Sequence, residues 1–213
     1  MSPELRRGTS FRSHRGGDRS RPSPANPHPA RYLPGTSPFQ RLAALIGPSR
    51  FLSLLRVYPP YLGAGVRVRR VERDLSRVEV EMRLTSWNRN FVGTHFGGSL
   101  YSMCDPFFML MLMARLGPEY IVWDRSASIE FLRPGRGTVA ATFELSEERV
   151  EEIRREADRS EKIFPRFEVT VVDAAGQAIA KVGKVLYVRR KEAAASAQSQ
   201  AEAGHPKSTE GLH

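Results

Sequence analysis

One carboxylate in this sequence stands in an apolar run, and it is the first place to look for chemistry. Asp105 lies among Tyr101, Met103, Cys104, Phe107, Phe108 and Leu110. A carboxylate there costs free energy unless it is paired or hydrogen-bonded. The same setting suits a general base or a nucleophile. Tyr101 and Ser102, at i−4 and i−3 on a helix, lie on its side and could hold it. About two helical turns upstream, Gly97-Gly98 opens the run, which puts backbone N–H groups at a helix start. Such donors carry the positive end of the helix dipole and can act on a developing oxyanion. Each feature also has a plain structural reading, a tight turn for Gly97-Gly98 and a hydroxyl-satisfied core residue for Asp105. His95 is either an acid–base group or a loop residue. Cys104 reads as core packing. Met103, Met109, Met111 and Met113 read as core or as a pliable wall for an acyl chain. With no Walker A, no GxGxxG and no paired-His spacing, no cofactor and no metal are expected.

These groups need elements to hold them. From Phe39, apolar stripes predict two short helices, one with Leu42, Leu45 and Ile46 and one with Phe51, Leu52, Leu54 and Leu55, ended by Pro59-Pro60. Gly63–Leu84 reads as a hairpin, with a parity slip at Arg70-Val71 that implies a bulge. Residues 97–116 read as one long helix, apolar nearly all round and therefore buried. Pro106 inside it predicts a kink at Asp105. Tyr120–Leu132 and Thr138–Leu145 read as strands. A charged helix from Ser146, with Val150, Ile153 and Ala157 as its stripe, follows. Phe164–Val172 and Ala178–Val188 then read as a strand pair. The fold class is α+β: a mainly antiparallel sheet around one long central helix, with two short N-terminal helices and one inserted helix.

Composition bounds the functions. Net charge is +10, but residues 1–38 supply half of it, through seven arginines against Glu4 and Asp18. That segment is poor in aliphatic residues and is expected to be disordered, as is 191–213, leaving 39–190 as one domain. No dense basic stripe with interleaved aromatics remains, so nucleic-acid binding is not expected. No run of about 18 charge-free apolar residues exists, so no membrane helix is expected. A single Cys fits a reducing compartment, and a cytoplasmic location is expected.

The spacing of Asn90, Gly97-Gly98 and Asp105 resembles the signature of hotdog-fold acyl-CoA thioesterases, above all the phenylacetate-pathway type. Phe131-Leu132-Arg133-Pro134 and the segment DAAGQAIA (173–180) are similar to later parts of that family. The resemblance covers roughly residues 60–189 and is nearest to an uncharacterised bacterial branch. It implies a hotdog fold and a homodimer or dimer of dimers. It also implies a site between subunits that hydrolyses an acyl-CoA or other acyl thioester. Gly97 and Gly98 amides polarise the carbonyl, Asp105 of the partner chain activates water or attacks, and Asn90 helps to position. Ser99, Tyr101, Ser102, Ser126, Ser128 and Arg133 are substrate-binding candidates, and Arg125 and Arg133 could meet a phosphate. Three features depart from the pattern. Phe96, not His, directly precedes Gly-Gly; Asp105 is followed by Pro106; and the helix at 146–161 is extra. Two alternatives follow: a hotdog hydratase or dehydratase using His95, since His95-Phe96-Gly97 resembles part of a dehydratase motif, and a non-catalytic acyl- or lipid-binding protein.

Overall fold

The structure, a computed structural model, describes residues 45–191. The expected tail at 1–38, all but the first residue of that at 191–213, and the start of the first expected helix lie outside the described residues.

Prolines at two places shape the entry to the domain. Pro48 starts α1 (Pro48–Leu54), which tightens into a 3-10 turn at Leu55–Val57. Pro59-Pro60 follows the end of that helical stretch, as expected, but it also begins another helix, α2 (Pro59–Ala64). A proline at the first helical position loses no hydrogen bond, because that N–H has no partner in the helix anyway. Gly65, at φ +77°, then turns the chain into the sheet.

Strands β1 (Val66–Val71) and β2 (Arg77–Arg83) form the expected hairpin. The register slips between Val68 and Arg70, one residue before the parity change read from the sequence. β3 (Tyr120–Phe131), β4 (Thr138–Glu144), β5 (Arg166–Asp173) and β6 (Ala178–Arg190) complete one six-stranded sheet. Its order is β1-β2-β4-β5-β6-β3, and every pair is antiparallel. β1 and β3 are therefore the edges.

The central run exists, but it is divided. α3 (Gly97–Ser102) and α4 (Phe107–Leu116) are separated at Met103–Pro106. Pro106 cannot donate to the Ser102 carbonyl, and its ring crowds that turn. The chain adapts with short-range bonds, Cys104 N–H to Tyr101 O at 2.8 Å and Asp105 N–H to Ser102 O at 3.3 Å. The expected kink is thus a full break, and Asp105 sits in it. α4 buries Phe107, Phe108, Met111, Leu112 and Leu116 against the sheet. Phe107 and Phe108 pack on Phe143 of β4, with ring centroids 4.8 and 5.2 Å apart, and Phe108 stacks on Phe167 of β5 at 4.8 Å.

The charged segment forms α5 (Glu147–Arg159), and the Ser146 hydroxyl caps it by accepting from Arg149 N–H at 3.3 Å. Val150, Ile153 and Ala157 are buried, as their stripe predicted. Arg154 donates to the Leu116 and Arg115 carbonyls, each at 3.0 Å, so α5 caps the C-terminal end of α4. It lies at the end of the helix away from Asp105.

Candidate functional site

The break between α3 and α4 brings a carboxylate to the sheet, and the sheet meets it with a lysine. Along β6, Ala180, Val182, Lys184, Leu186 and Val188 share the inward face, and all are buried. Lys184 occupies an aliphatic position with its side chain 0% exposed. Its ammonium lies 3.0 Å from Asp105 Oδ1 and 2.9 Å from Asp124 Oδ1 of β3. Tyr101 O–H donates to the same Asp105 Oδ1 at 2.6 Å, and Lys184 Nζ reaches the Tyr101 oxygen at 3.4 Å. The i−4 partner read from the sequence is therefore present. Ser102 contributes only its backbone carbonyl to Asp105.

Asp105 is less buried than the sequence implied: its side chain is 47% exposed. Both of its protein partners bind Oδ1. Oδ2 makes no hydrogen bond among the described residues, and it is not among the buried unpartnered atoms. One oxygen is thus held and the other faces outward. Burial works against charge on Lys184, but its bonds to Asp124 and then Asp105 prevail and hold its pKa above the ordinary lysine value. Burial lifts Asp124 above the usual carboxylate range, with Lys184 pulling the other way.

Gly97 and Gly98 are the first residues of α3, and their N–H groups make no hydrogen bond among the described residues. Both lie under aromatic rings. A Cβ on Gly97 would stand 2.8 Å from the tip of Phe131, and one on Gly98 would stand 2.5 Å from the Phe96 ring. Phe96 and Phe131 are themselves exposed, each at 56%. The helix start thus carries an open aromatic surface.

The register of β3 on β6 decides which β3 residues join this surface. A bulge at Arg125 separates Asp124, paired with Leu186, from Ser126, paired with Val185. Ala127 then pairs with Lys184 and Phe131 with Ala180, on the helix side of the sheet. Ser126 and Ser128 fall on the opposite face, where Ser128 Oγ lies over Gly183. The structure therefore does not bring these two serines to Asp105. Arg133 lies at the turn after β3 and donates to the Ala178 carbonyl at 3.1 Å. Ser99 is buried in α3.

The preceding loop is tied together by its own polar groups. Asn88 is buried; it donates to the Arg83 and Ala64 carbonyls at 2.8 and 3.0 Å and accepts from Thr85 N–H at 2.7 Å. Asn90 donates to Thr94 Oγ1 and accepts from the Thr94 and Val92 N–H groups, between 2.9 and 3.1 Å. Its amide is engaged within its loop. His95 is 2% exposed. Its Nε2–H donates to the Gly137 carbonyl at 3.1 Å, and its own N–H donates to Gly135 O at 3.0 Å. Nδ1 is buried without a partner, and burial holds the imidazole pKa below 6.5, against the Gly137 bond. This neutral ring joins two loops; it does not face Asp105 with a free nitrogen.

Sequence reading missed Lys184 and Asp124. A signal for the lysine exists: strict alternation from Ala180 to Val188 places position 184 on the inward face. Among the described residues, no group of three or more His, Cys, Asp or Glu side chains gathers to hold a metal ion. No helix among them is long and apolar enough to cross a membrane.

Residues 47–188 match the family described as a domain of unknown function, DUF4442. No functionally curated protein matches the chain. Among solved structures, a Pseudomonas aeruginosa protein of unknown function, described as a probable thioesterase, superposes with a TM-score of 0.55 at 20% identity, covering 60% of this chain and 84% of that one. A Chlorobaculum tepidum protein of unknown function gives 0.54 at 14% identity, over 67% and 97% of the two chains. A Haemophilus influenzae thioesterase gives 0.50 at 14% identity, over 67% and 90%. These likenesses show the fold, and it is the hotdog fold expected from the sequence.

Proposed function

We propose that this chain, which belongs to the DUF4442 family, hydrolyses an acyl-CoA or similar acyl thioester, with Asp105 as the reacting carboxylate. The observation that carries this reading is the divided environment of Asp105: Oδ1 is held by Tyr101 and Lys184, and Oδ2 has no partner among the described residues. In the reaction, Oδ2 takes a proton from water as the water oxygen bonds to the thioester carbonyl carbon. The oxyanion formed meets the Gly97 and Gly98 N–H groups. The C–S bond then breaks, and the thiolate leaves and is protonated, giving a free acid and a thiol. The exposed rings of Phe96 and Phe131 offer an apolar path for a fatty or aryl acyl chain.

The active unit is a homodimer or dimer of dimers, with Asp105 of one protomer serving the glycine amides of its partner. What supports this is the strand β3, which among the described residues is an edge strand paired only with β6, and the aromatic surface at the start of α3. The buried single cysteine fits a reducing compartment, and we assign the reaction to the cytoplasm.

Thiol release from a panel of acyl-CoAs, for the wild type beside Asp105→Ala, tests this reading. We expect turnover of at least one acyl group and its loss in the variant. Equal rates in the two proteins would falsify the assignment. A second reading, a non-catalytic acyl-binding protein, is favoured by the engagement of Asn90 and His95 inside their loops. Co-purified acyl ligand with no turnover across the panel would support it.

A further inference from the structure

We propose that Lys184 is the positioning residue of Asp105: held between Asp124 and Asp105, it fixes Oδ1 and leaves Oδ2 as the working oxygen. This rests on the thioester-hydrolysis reading above.

The lysine is placed by the sheet rather than by its neighbours in sequence. It stands between Val182 and Leu186 on the inward face of β6, 79 residues from Asp105. A fully buried ammonium is tolerated only when anions and hydrogen bonds compensate it. Here two carboxylates and a phenol oxygen surround it, from the helix break, from β3 and from α3. Because Tyr101 and Lys184 both reach Oδ1, the carboxylate is held about that oxygen, and rotation that would exchange Oδ1 and Oδ2 breaks both contacts.

Charge also favours this assignment. One lysine faces two carboxylates, so the cluster keeps an excess of one negative charge for a base to use. The other titratable groups turned toward it stay neutral near neutral pH. Burial pushes the Cys104 thiol up to about 12. Tyr61 of α2 is raised by burial and then by the charge on Asp105. Tyr101 is raised by burial and by its bond to Asp105. From β5, the residue beside Lys184 is Phe167, which carries no charge. The charged groups of the cluster are therefore Lys184, Asp105 and Asp124. Lys184 does not exchange a proton in the step: the proton from water goes to Asp105 Oδ2.

The test compares Lys184→Met, Lys184→Arg, Asp124→Asn and Asp105→Asn with the wild type, using acyl-CoA turnover across a pH series. Removing the cation is expected to lower kcat by roughly 10–100-fold with KM nearly unchanged. It should also move the acidic limb of the kcat profile to higher pH, because a nearby cation favours a charged carboxylate. Arginine at 184 should return the limb toward its original position. Asp124→Asn keeps the cation and removes a competing anion, so its limb should move to lower pH. The opposite signs separate positioning from general loss of structure, and Asp124→Asn serves as the test if Lys184→Met does not fold. Carbon-13 NMR titration of the Asp105 carboxyl reads the same two shifts without turnover. If limb and carboxyl midpoint stay put in the folded variants of both Lys184 and Asp124, the positioning role is overturned. If Asp105→Asn turns over like the wild type, the hydrolysis reading fails instead.

Discussion

Lys184 Nζ lies 3.0 Å from Asp105 Oδ1, joining the last strand of the sheet to the break in the central helix. A fully buried cation thus depends on two partly exposed carboxylates, Asp105 and Asp124, and this has a measurable consequence for stability. Either carboxylate alone still compensates the ammonium, but losing both strands it. Asp105→Asn and Asp124→Asn are each expected to cost less than the double variant would imply by addition. In the double variant an uncompensated buried charge should cost about 3–5 kcal/mol. Chemical denaturation of the four proteins gives the coupling energy, and simple additivity would show that Lys184 does not need these partners.

His95 makes stability depend on pH. Its folded-state pKa lies below the ordinary 6.5, because burial opposes the charged ring more than the Gly137 carbonyl favours it. The folded state therefore resists protonation. The contribution is complete above the unfolded value and is lost as pH falls through the lower folded value. As pH falls below the unfolded value towards the lower folded one, the wild type should lose stability faster than His95→Gln, by up to about 1.4 kcal/mol per pH unit. Parallel urea midpoints for the two proteins would contradict this.

Gly65 protects the Asn88 bonds. It has φ +77°, and a Cβ there would stand 2.9 Å from Asn88 Nδ2. Gly65→Ala is expected to cost about 1–3 kcal/mol, from the left-handed backbone and from displacement of the buried amide. Asn88→Ala should give an overlapping loss, so the double variant should fall short of the sum. An unchanged denaturation midpoint for Gly65→Ala would rule the contact out.

Ser126 and Ser128 face away from Asp105, so alanine at both should leave acyl-CoA kinetics at wild-type values. Gly97→Ala should act differently. The added methyl meets the exposed tip of Phe131, which can swing aside, so stability should change by no more than about 0.5 kcal/mol. The preference among acyl chains should change, because the aromatic surface moves. A tenfold loss of turnover in the serine variants would place them in the site after all.

Arg154 holds the end of α4. Arg154→Met keeps much of the packing but removes two donors from the Leu116 and Arg115 carbonyls. The expected cost is about 1.5–3 kcal/mol. Hydrogen exchange should quicken in the last turn of α4 and not around Gly97, because α5 lies at the opposite end of the central run.

Much of this fold was legible in the sequence, because much of it is local. The alternation of Val78, Val80 and Met82, the Ser146 cap, the stripe Val150, Ile153, Ala157 and the Tyr101–Asp105 spacing are all settled within a few residues of chain. Pro106 announced an interruption of the helix for an equally local reason: it has no N–H and its ring needs room. The strands and the inserted helix stand on those patterns, whereas the expected family rested on a resemblance, carried by the spacing of Asn90, Gly97-Gly98 and Asp105.

The site depended on what patterns cannot supply. Whether Asp105 is bare or paired turns on the register of β6, which aims Lys184 inward at a residue 79 positions away. Whether Ser126 faces the helix turns on one extra residue at Arg125, which reverses the sides of all that follows in β3. Whether Asn90 is free turns on the N–H groups that its loop folds around it. By itself the sequence determined most of the elements, a disturbance of the central helix at Pro106 and the carboxylate that stands there. Only the tertiary structure decided which charge meets that carboxylate and which of its oxygens stays open, because side-chain periodicity assigns a face while strand register and bulges assign the neighbour.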